Sequence, residues 1–153
     1  MTEALRVTTK NEKETKKFAE LFARELKIFS ARTRQKKALV IGLEGELGAG
    51  KTSFTKGFAK GLGIKEEMKS PTFILMRVFR VPKSKSHFFH FDAYRISDSK
   101  EFLALGFKSL LNNPNNILLI EWADLVQKIL PKNYFKLKFK LISRTSREIK
   151  LLI

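Results

Sequence analysis

Residues 45–52 read Gly-Glu-Leu-Gly-Ala-Gly-Lys-Thr, which satisfies the pattern G-x-x-x-x-G-K-[ST] at every fixed position. Each fixed position has a physical reason. Gly45 and Gly50 allow backbone conformations closed to other residues and let main-chain amides approach phosphate oxygens. Lys51 is long enough to reach terminal phosphates, and the Thr52 hydroxyl suits Mg²⁺, which takes a few protein oxygens together with phosphate. A helix that starts near Gly50 would aim its unpaired N–H groups and its dipole at the same anion. The chemistry implied is the binding of a nucleotide phosphate chain.

Hydrolysis or transfer of a phosphoryl group also needs a carboxylate near the metal. Asp92 follows "SHFFHF" and Glu121 follows "NILLI", so both stand at the ends of hydrophobic strands. Strand ends beside a phosphate loop are where a carboxylate can hold Mg²⁺ or orient water. Composition does not divide those two roles between them. His90 by itself reads as a half-buried strand residue, and Trp122, the single tryptophan, as core packing. "SPT" at 70–72 could be a turn entering a strand.

The elements that must position these residues follow from periodicity. Phe18, Leu21, Phe22, Leu26 and Phe29 fall at helical spacing and predict an amphipathic helix over 11–29, followed by a basic loop at 31–37. "ALVIGLEG" at 38–45 reads as a buried central strand. A helix over 51–62 ends at Gly63. Strands are expected over 72–81 and 86–92, and a helix over 98–107 capped by Ser97 or Asp98. Another strand covers 116–122. At the end, Phe135, Leu137, Phe139 and Leu141 alternate with Lys136, Lys138 and Lys140, which predicts a hairpin with an exposed lysine face. Strands mixed with helices, several of the strands aliphatic throughout, indicate an α/β fold with a partly parallel sheet, and nothing marks a second domain within 1–153.

The 153 residues can bury a real core without staples. The absence of cysteine excludes a disulfide framework and a thiolate metal site. No window reaches the roughly 18 apolar residues of a spanning helix, and the first residues lack a secretory apolar core, so a cytoplasmic protein is expected. With 31 basic against 15 acidic residues the net charge is +16, a field that attracts polyanions such as RNA. A bias toward lysine as a surface residue explains the same number. Beside hydrolysis of the nucleotide, two other readings stand: a small-molecule or nucleoside kinase, and an RNA-binding module whose loop senses nucleotide. No guanine-reading N-K-x-D segment stands out, which leans toward ATP.

Taken together, "GELGAGKTSFTKGFAKGLG", "KSPTFILMRVF", "HFDAYRI" and "IEWAD" occur in the order and at the approximate spacing of the TsaE (YjeE) family, and the chain resembles that family over about residues 11–150. The resemblance implies a three-layer P-loop NTPase-like α/β domain with a mixed, partly parallel sheet. It also implies slow ATP hydrolysis in the service of N6-threonylcarbamoyladenosine synthesis on tRNA. The partners it implies are the transferase TsaD and its paralogue TsaB, with tRNA reached through that complex, which ATP turnover would reset between cycles. Carried over position by position, Glu46, Leu47, Gly48, Ala49, Gly50, Lys51, Thr52 and Ser53 would hold ATP, joined by Asp92 and Arg147. Thr52 and Glu121 would hold Mg²⁺, and Lys51, Asp92 and Glu121 would be the catalytic set, with Asp92 orienting water or sensing the γ-phosphate. Ser70, Pro71 and Thr72 match a switch-like segment near the nucleotide, and His90, Asp92, Tyr94 and Arg95 match an H-x-D-x-Y-R signature. Departures from the family pattern are Glu46 for Asp, Ser53 for Thr, Ile74 for Thr and Ser146 for the glycine before Arg147. Ala123-Asp124 follow Trp122 where a Pro-Glu is usual.

Overall fold

The computed structural model describes residues 1–68 and 75–153. Seven strands form one sheet in the order β1-β7-β6-β2-β5-β4-β3. The strands are β1 (Glu3–Thr9), β2 (Leu39–Gly45), β3 (Met76–Arg80), β4 (His87–Asp92), β5 (Asn116–Glu121), β6 (Phe135–Leu141) and β7 (Arg147–Leu152). The central β2 lies parallel to both β5 and β6, and β5 is parallel to β4; the outer pairs β1–β7, β6–β7 and β3–β4 are antiparallel. The sheet is therefore mixed, as expected. The aliphatic run of β2 follows from its place, since a central parallel strand is buried on both faces.

Helices α1 (Glu12–Thr33) and α2 (Lys51–Gly61) cover one face. Phe18, Phe22, Phe54 and Phe58 join there with Phe88 and Phe139 of the sheet in a continuous set of ring contacts. The short helices α3 (Ser99–Leu103) and α4 (Phe107–Leu111), with a 3-10 helix over Ala123–Ile129, pack on the other face. There Phe91, Phe102 and Phe107 form a triad with centroids 4.8–5.8 Å apart. The three layers follow from these two cores.

Several boundaries differ from the sequence reading, each for an identifiable reason. Residues 3–9, which show no clear alternation, form an edge strand held by the main-chain ladder to β7. The next helix begins at a capping box: Asn11 accepts from the Glu14 amide (2.9 Å) while Glu14 accepts from the Lys10 amide (2.7 Å). That helix runs on to Thr33 through the first residues of the expected basic loop, ending where Arg34 turns left-handed (φ 46°). The helix expected over 98–107 is two, broken at Gly106 (φ 84°), and Asp98 is its cap. Strand β5 stops at Glu121 because Trp122 adopts φ 60°. Lys136, expected on an exposed face, is buried and ion-paired to Glu44 at 3.3 Å, whereas Lys138 and Lys140 are exposed. Residues 72–74 of the expected strand lie outside the described residues. Among the described residues no helix is long and apolar enough to cross a membrane.

Candidate functional site: a glycine loop facing two strand-end carboxylates

The chain leaves β5 and re-enters the sheet on the far side of β2, so a crevice opens at the carboxyl end of β2, where open α/β sheets place their ligands. Residues 45–52 fill that position between β2 and α2. Gly50 caps α2 with φ 104°, a conformation that strongly favours glycine, and the helix's first backbone bond runs from the Phe54 amide to the Gly50 carbonyl (2.9 Å). The amides of the first turn have no partner within the helix and belong to the end of α2 that adjoins the loop. A turn from the Glu46 carbonyl to the Ala49 amide (3.1 Å) shapes the loop, with Ala49 fully buried and Leu47 at its exposed crest.

Lys51 is buried, and its Nζ donates to the carbonyls of Gly45 (2.5 Å) and Glu46 (2.8 Å). The same ammonium lies 3.9 Å from the centroid of the Trp122 ring. Burial draws the Lys51 pKa below the ordinary lysine value, opposed by Glu121, Asp124, Asp92 and Glu46. Trp122 is held at its left-handed backbone angle with Tyr94 packed against it, ring centroids 4.7 Å apart. A bulky residue at positive φ is strained, and strain of this kind persists where the surroundings enforce it. The sequence reading of Trp122 as core packing omitted its contact with the lysine.

Asp92 and Glu121 are register partners on adjacent parallel strands, and Glu121 is in turn opposite Leu43 of β2. Both carboxylates therefore stand at the end of the sheet that carries the loop. Glu121 is almost wholly buried and accepts from Thr52 Oγ1 (3.2 Å), from Thr55 Oγ1 (2.9 Å) and from His90 Nε2 (3.0 Å). Burial alone would raise its pKa. The bonds from His90, Thr55 and Thr52 outweigh that and hold the carboxyl below the ordinary glutamate value. An ionised carboxylate only accepts, so Nε2 carries the histidine proton in this bond. His90 Nδ1 is buried without a hydrogen-bond partner among the described residues.

Asp92 titrates in the opposite direction. Burial raises its pKa and the Glu121 charge adds to this, against a bond from the Tyr94 amide to Oδ1 (3.0 Å). The two neighbouring carboxyls are thus pushed in opposite directions, Asp92 up and Glu121 down. Arg147, the first residue of β7, reaches the loop as the sequence suggested. Its Nη1 donates to the Thr145 carbonyl (2.6 Å) and its Nη2 to the Gly48 carbonyl (3.3 Å). A Cβ on Gly50 would come within 3.1 Å of the Arg147 side chain, which would have to shift slightly, so it is the φ of 104° that favours glycine there.

The structure thus gathers Lys51, Thr52, Asp92, Glu121 and Arg147 around the loop, while Glu46 is exposed and Ser53 half-buried in α2. Ser70, Pro71, Thr72 and Ile74 lie outside the described residues. Thr55 is the residue that sequence reasoning missed. Its signal was its place one turn after Thr52, on the same helix face. A cavity of about 420 Å³ bordered by Glu46, Trp122, Asp124 and Lys138 opens beside the loop.

Fold and site define the class: a mixed α/β protein carrying a phosphate-loop motif between its central strand and the next helix, with two carboxylates at neighbouring strand ends. The profile of the family described as "Threonylcarbamoyl adenosine biosynthesis protein TsaE" matches residues 9–149, and the chain belongs to that family. The tRNA threonylcarbamoyladenosine biosynthesis protein TsaE of Bacillus subtilis is 37% identical over 145 residues, 95% of this chain and 83% of that one. Its counterpart in Rickettsia typhi is 35% identical over 141 residues, 92% and 89% of the two chains. The crystal structure of Bacillus subtilis YdiB superposes with a TM-score of 0.71 at 33% identity, covering 96% of this chain and 83% of that one.

Proposed function

We propose that the chain binds and hydrolyses ATP as the subunit that serves N6-threonylcarbamoyladenosine modification of tRNA, acting with the TsaD–TsaB transferase complex. The pathway rests on family membership. The chemistry rests on one observation: the Thr52 hydroxyl, next to Lys51 in the loop, already touches the buried Glu121 carboxylate.

That pair fits Mg²⁺. A hydroxyl and an ionised carboxylate are hard oxygen donors, and Mg²⁺ is commonly held by one or two such groups plus phosphate oxygens rather than by a cage of carboxylates. Bound there, the ion would supply electrostatic stabilisation of the phosphoryl oxygens. The protein's own residues do the rest. Loop amides and the α2 N-terminus bind the phosphate chain. Lys51 exchanges its two carbonyl acceptors for phosphate oxygens and stabilises charge in the transition state. Thr55 and His90 fix the Glu121 carboxylate, leaving it ionised and correctly turned. Asp92, one strand away, orients the attacking water. Arg147 joins the phosphates from the far side of the loop.

The test is hydrolysis measured with the purified chain alone and with purified TsaB and TsaD, together with ATP-dependent pull-down of the two partners. ATP binding with turnover raised by the partners is the expected result. Failure to bind ATP at millimolar concentration, or transfer of the phosphoryl group to a small acceptor instead of water, overturns the reading.

A further inference from the structure

The amino ends of the parallel strands, at the opposite pole from the loop, carry two adjoining cavities. One of about 510 Å³ lies between the end of α1 and the start of β2; another of about 380 Å³ lies beside it toward the β3–β4 turn. They share Arg34, Gln35 and Leu39, so they adjoin, and the two together make up a trough. Lys27, Arg34, Lys36 and Lys37 line it, and no carboxylate does. All four cations are exposed, and among the described residues none makes a side-chain hydrogen bond or an ion pair. Some basic residues elsewhere are matched to carboxylates, and what sets these four apart is that they cluster around one concavity beside an apolar wall. Glu20 draws Lys17, Arg24 and Lys60, while Glu44 and Glu148 engage Lys136 and Lys150.

The trough also has an apolar wall. Phe29 is 42% exposed, yet its ring is fixed edge-to-face against Phe135 with centroids 5.9 Å apart. Pro131 and Leu111 continue that wall. Unpaired cations flanking a fixed, accessible aromatic ring form the pattern that takes single-stranded nucleic acid, with phosphates on the cations and a base on the ring. A peptide of acidic residues alone would use the cations and leave the ring without a partner. A free nucleotide would fill only one of the two cavities.

We propose that this trough binds a single-stranded segment of RNA, its phosphates on Lys27, Arg34, Lys36 and Lys37 and a base against Phe29. The site is separate from the glycine loop, so the inference does not depend on ATP hydrolysis. Its substrate class agrees with relatives named for tRNA modification, although the argument rests on the trough.

Fluorescence anisotropy with the full chain tests it, using a labelled 12-nucleotide mixed-sequence RNA and a labelled tRNA transcript over a range of salt. The variant is Lys27→Gln/Arg34→Asn/Lys36→Gln/Lys37→Gln, with asparagine at 34 because it tolerates the left-handed backbone there. The control removes the same charge from other exposed sites, Lys13→Gln/Lys65→Gln/Lys100→Gln/Lys140→Gln. Thermal melting and ATP binding, measured on the same preparations, show that both variants remain folded. Expected are at least about tenfold weaker RNA binding by the trough variant and a log–log salt slope flatter by about 2–3, at about 0.7 per phosphate contact on a single strand. The control should change affinity less than about threefold, and Phe29→Ala should weaken binding without changing the slope. Absence of RNA binding by the native chain at low salt overturns the proposal. So do equal losses in the two charge variants, which would show a diffuse field, or competition by polyglutamate as effective as by unlabelled RNA, which would show a site for acidic protein.

Discussion

The Lys51 ammonium lies 3.9 Å from the centre of the Trp122 ring while donating to two carbonyls of its own loop. A lysine so placed is already desolvated, so the phosphate chain has to compete with fixed partners and not with bulk water. Trp122 is the chain's single tryptophan, which makes its emission a local reporter of that ammonium. Addition of MgATP should shift Trp122 fluorescence with a saturable dependence on nucleotide. Lys51→Ala should remove the response, weaken ATP binding and lower turnover by at least about 10², the scale on which loss of one charge-stabilising donor acts. Unchanged turnover in a purified Lys51→Ala preparation would refute the role.

Glu121 makes a pH prediction whose sign follows from its lowered pKa. A carboxyl with a folded pKa below its unfolded value adds stability above the unfolded value, and that contribution is lost as pH falls through the folded one. The Glu121 contribution to the melting temperature should therefore be full from neutrality down to about pH 4.3, the ordinary glutamate value, and decline below it. Glu121→Gln should flatten that acid decline and lose Mg²⁺-dependent turnover, while retaining some nucleotide binding. Parallel melting curves between pH 6 and 3 measure the first, and a magnesium titration of turnover the second. Full activity in the variant would move the metal role to Asp92.

Asp92 carries the opposite sign. Burial first, then repulsion from Glu121, raises its pKa, so it ionises at a higher pH than an ordinary aspartate. If Asp92 orients water as the ionised form, the acid limb of kcat/KM lies above about pH 3.9 and rises through the Asp92 value. Asp92→Asn should abolish that limb and reduce turnover by about 10²–10⁴, the usual contribution of a positioned base. A pH–rate profile with the same acid limb in the variant would assign it to another group.

How much of this could be read without coordinates depended on whether the controlling interaction was local. The loop was legible because every fixed residue answers to one local requirement: backbone freedom at Gly45 and Gly50, reach at Lys51, a hydroxyl at Thr52. Asp92 and Glu121 were legible as polar residues closing hydrophobic strands, and their side-by-side register explains why that clue sufficed. Thr55 was not, because its bond to Glu121 spans 66 residues and looks like an ordinary helical threonine in the chain. Strand β1 was not, because most of its side chains are exposed and its ladder is made of backbone. Lys136 alternates like its neighbours Lys138 and Lys140, and only the fold shows that Glu44, far earlier in the chain, removes it from the exposed face.

The α1–α2 contact that sets the orientation of the loop helix rests on Gly57. A Cβ there would run into the backbone of Lys16 in α1, an obstacle that no rotamer change relieves. Two effects of Gly57→Ala oppose each other. Alanine favours the helix over glycine by about 0.5–1 kcal/mol. Forcing an extra group into a closed interface costs about 1–3 kcal/mol. Because the colliding atoms are backbone on a neighbouring helix, the second effect should win and the helices should separate. At about 2–4 °C per kcal/mol for a chain of this length, the melting temperature should fall by several degrees. Displacement of α2 should also carry Lys51 and Thr52 away from Glu121, so nucleotide affinity should drop in step with stability. Thermal melts with and without MgATP read both quantities in one experiment. A variant as stable as the native chain, with undiminished nucleotide stabilisation, would show that α1 and α2 do not meet this closely.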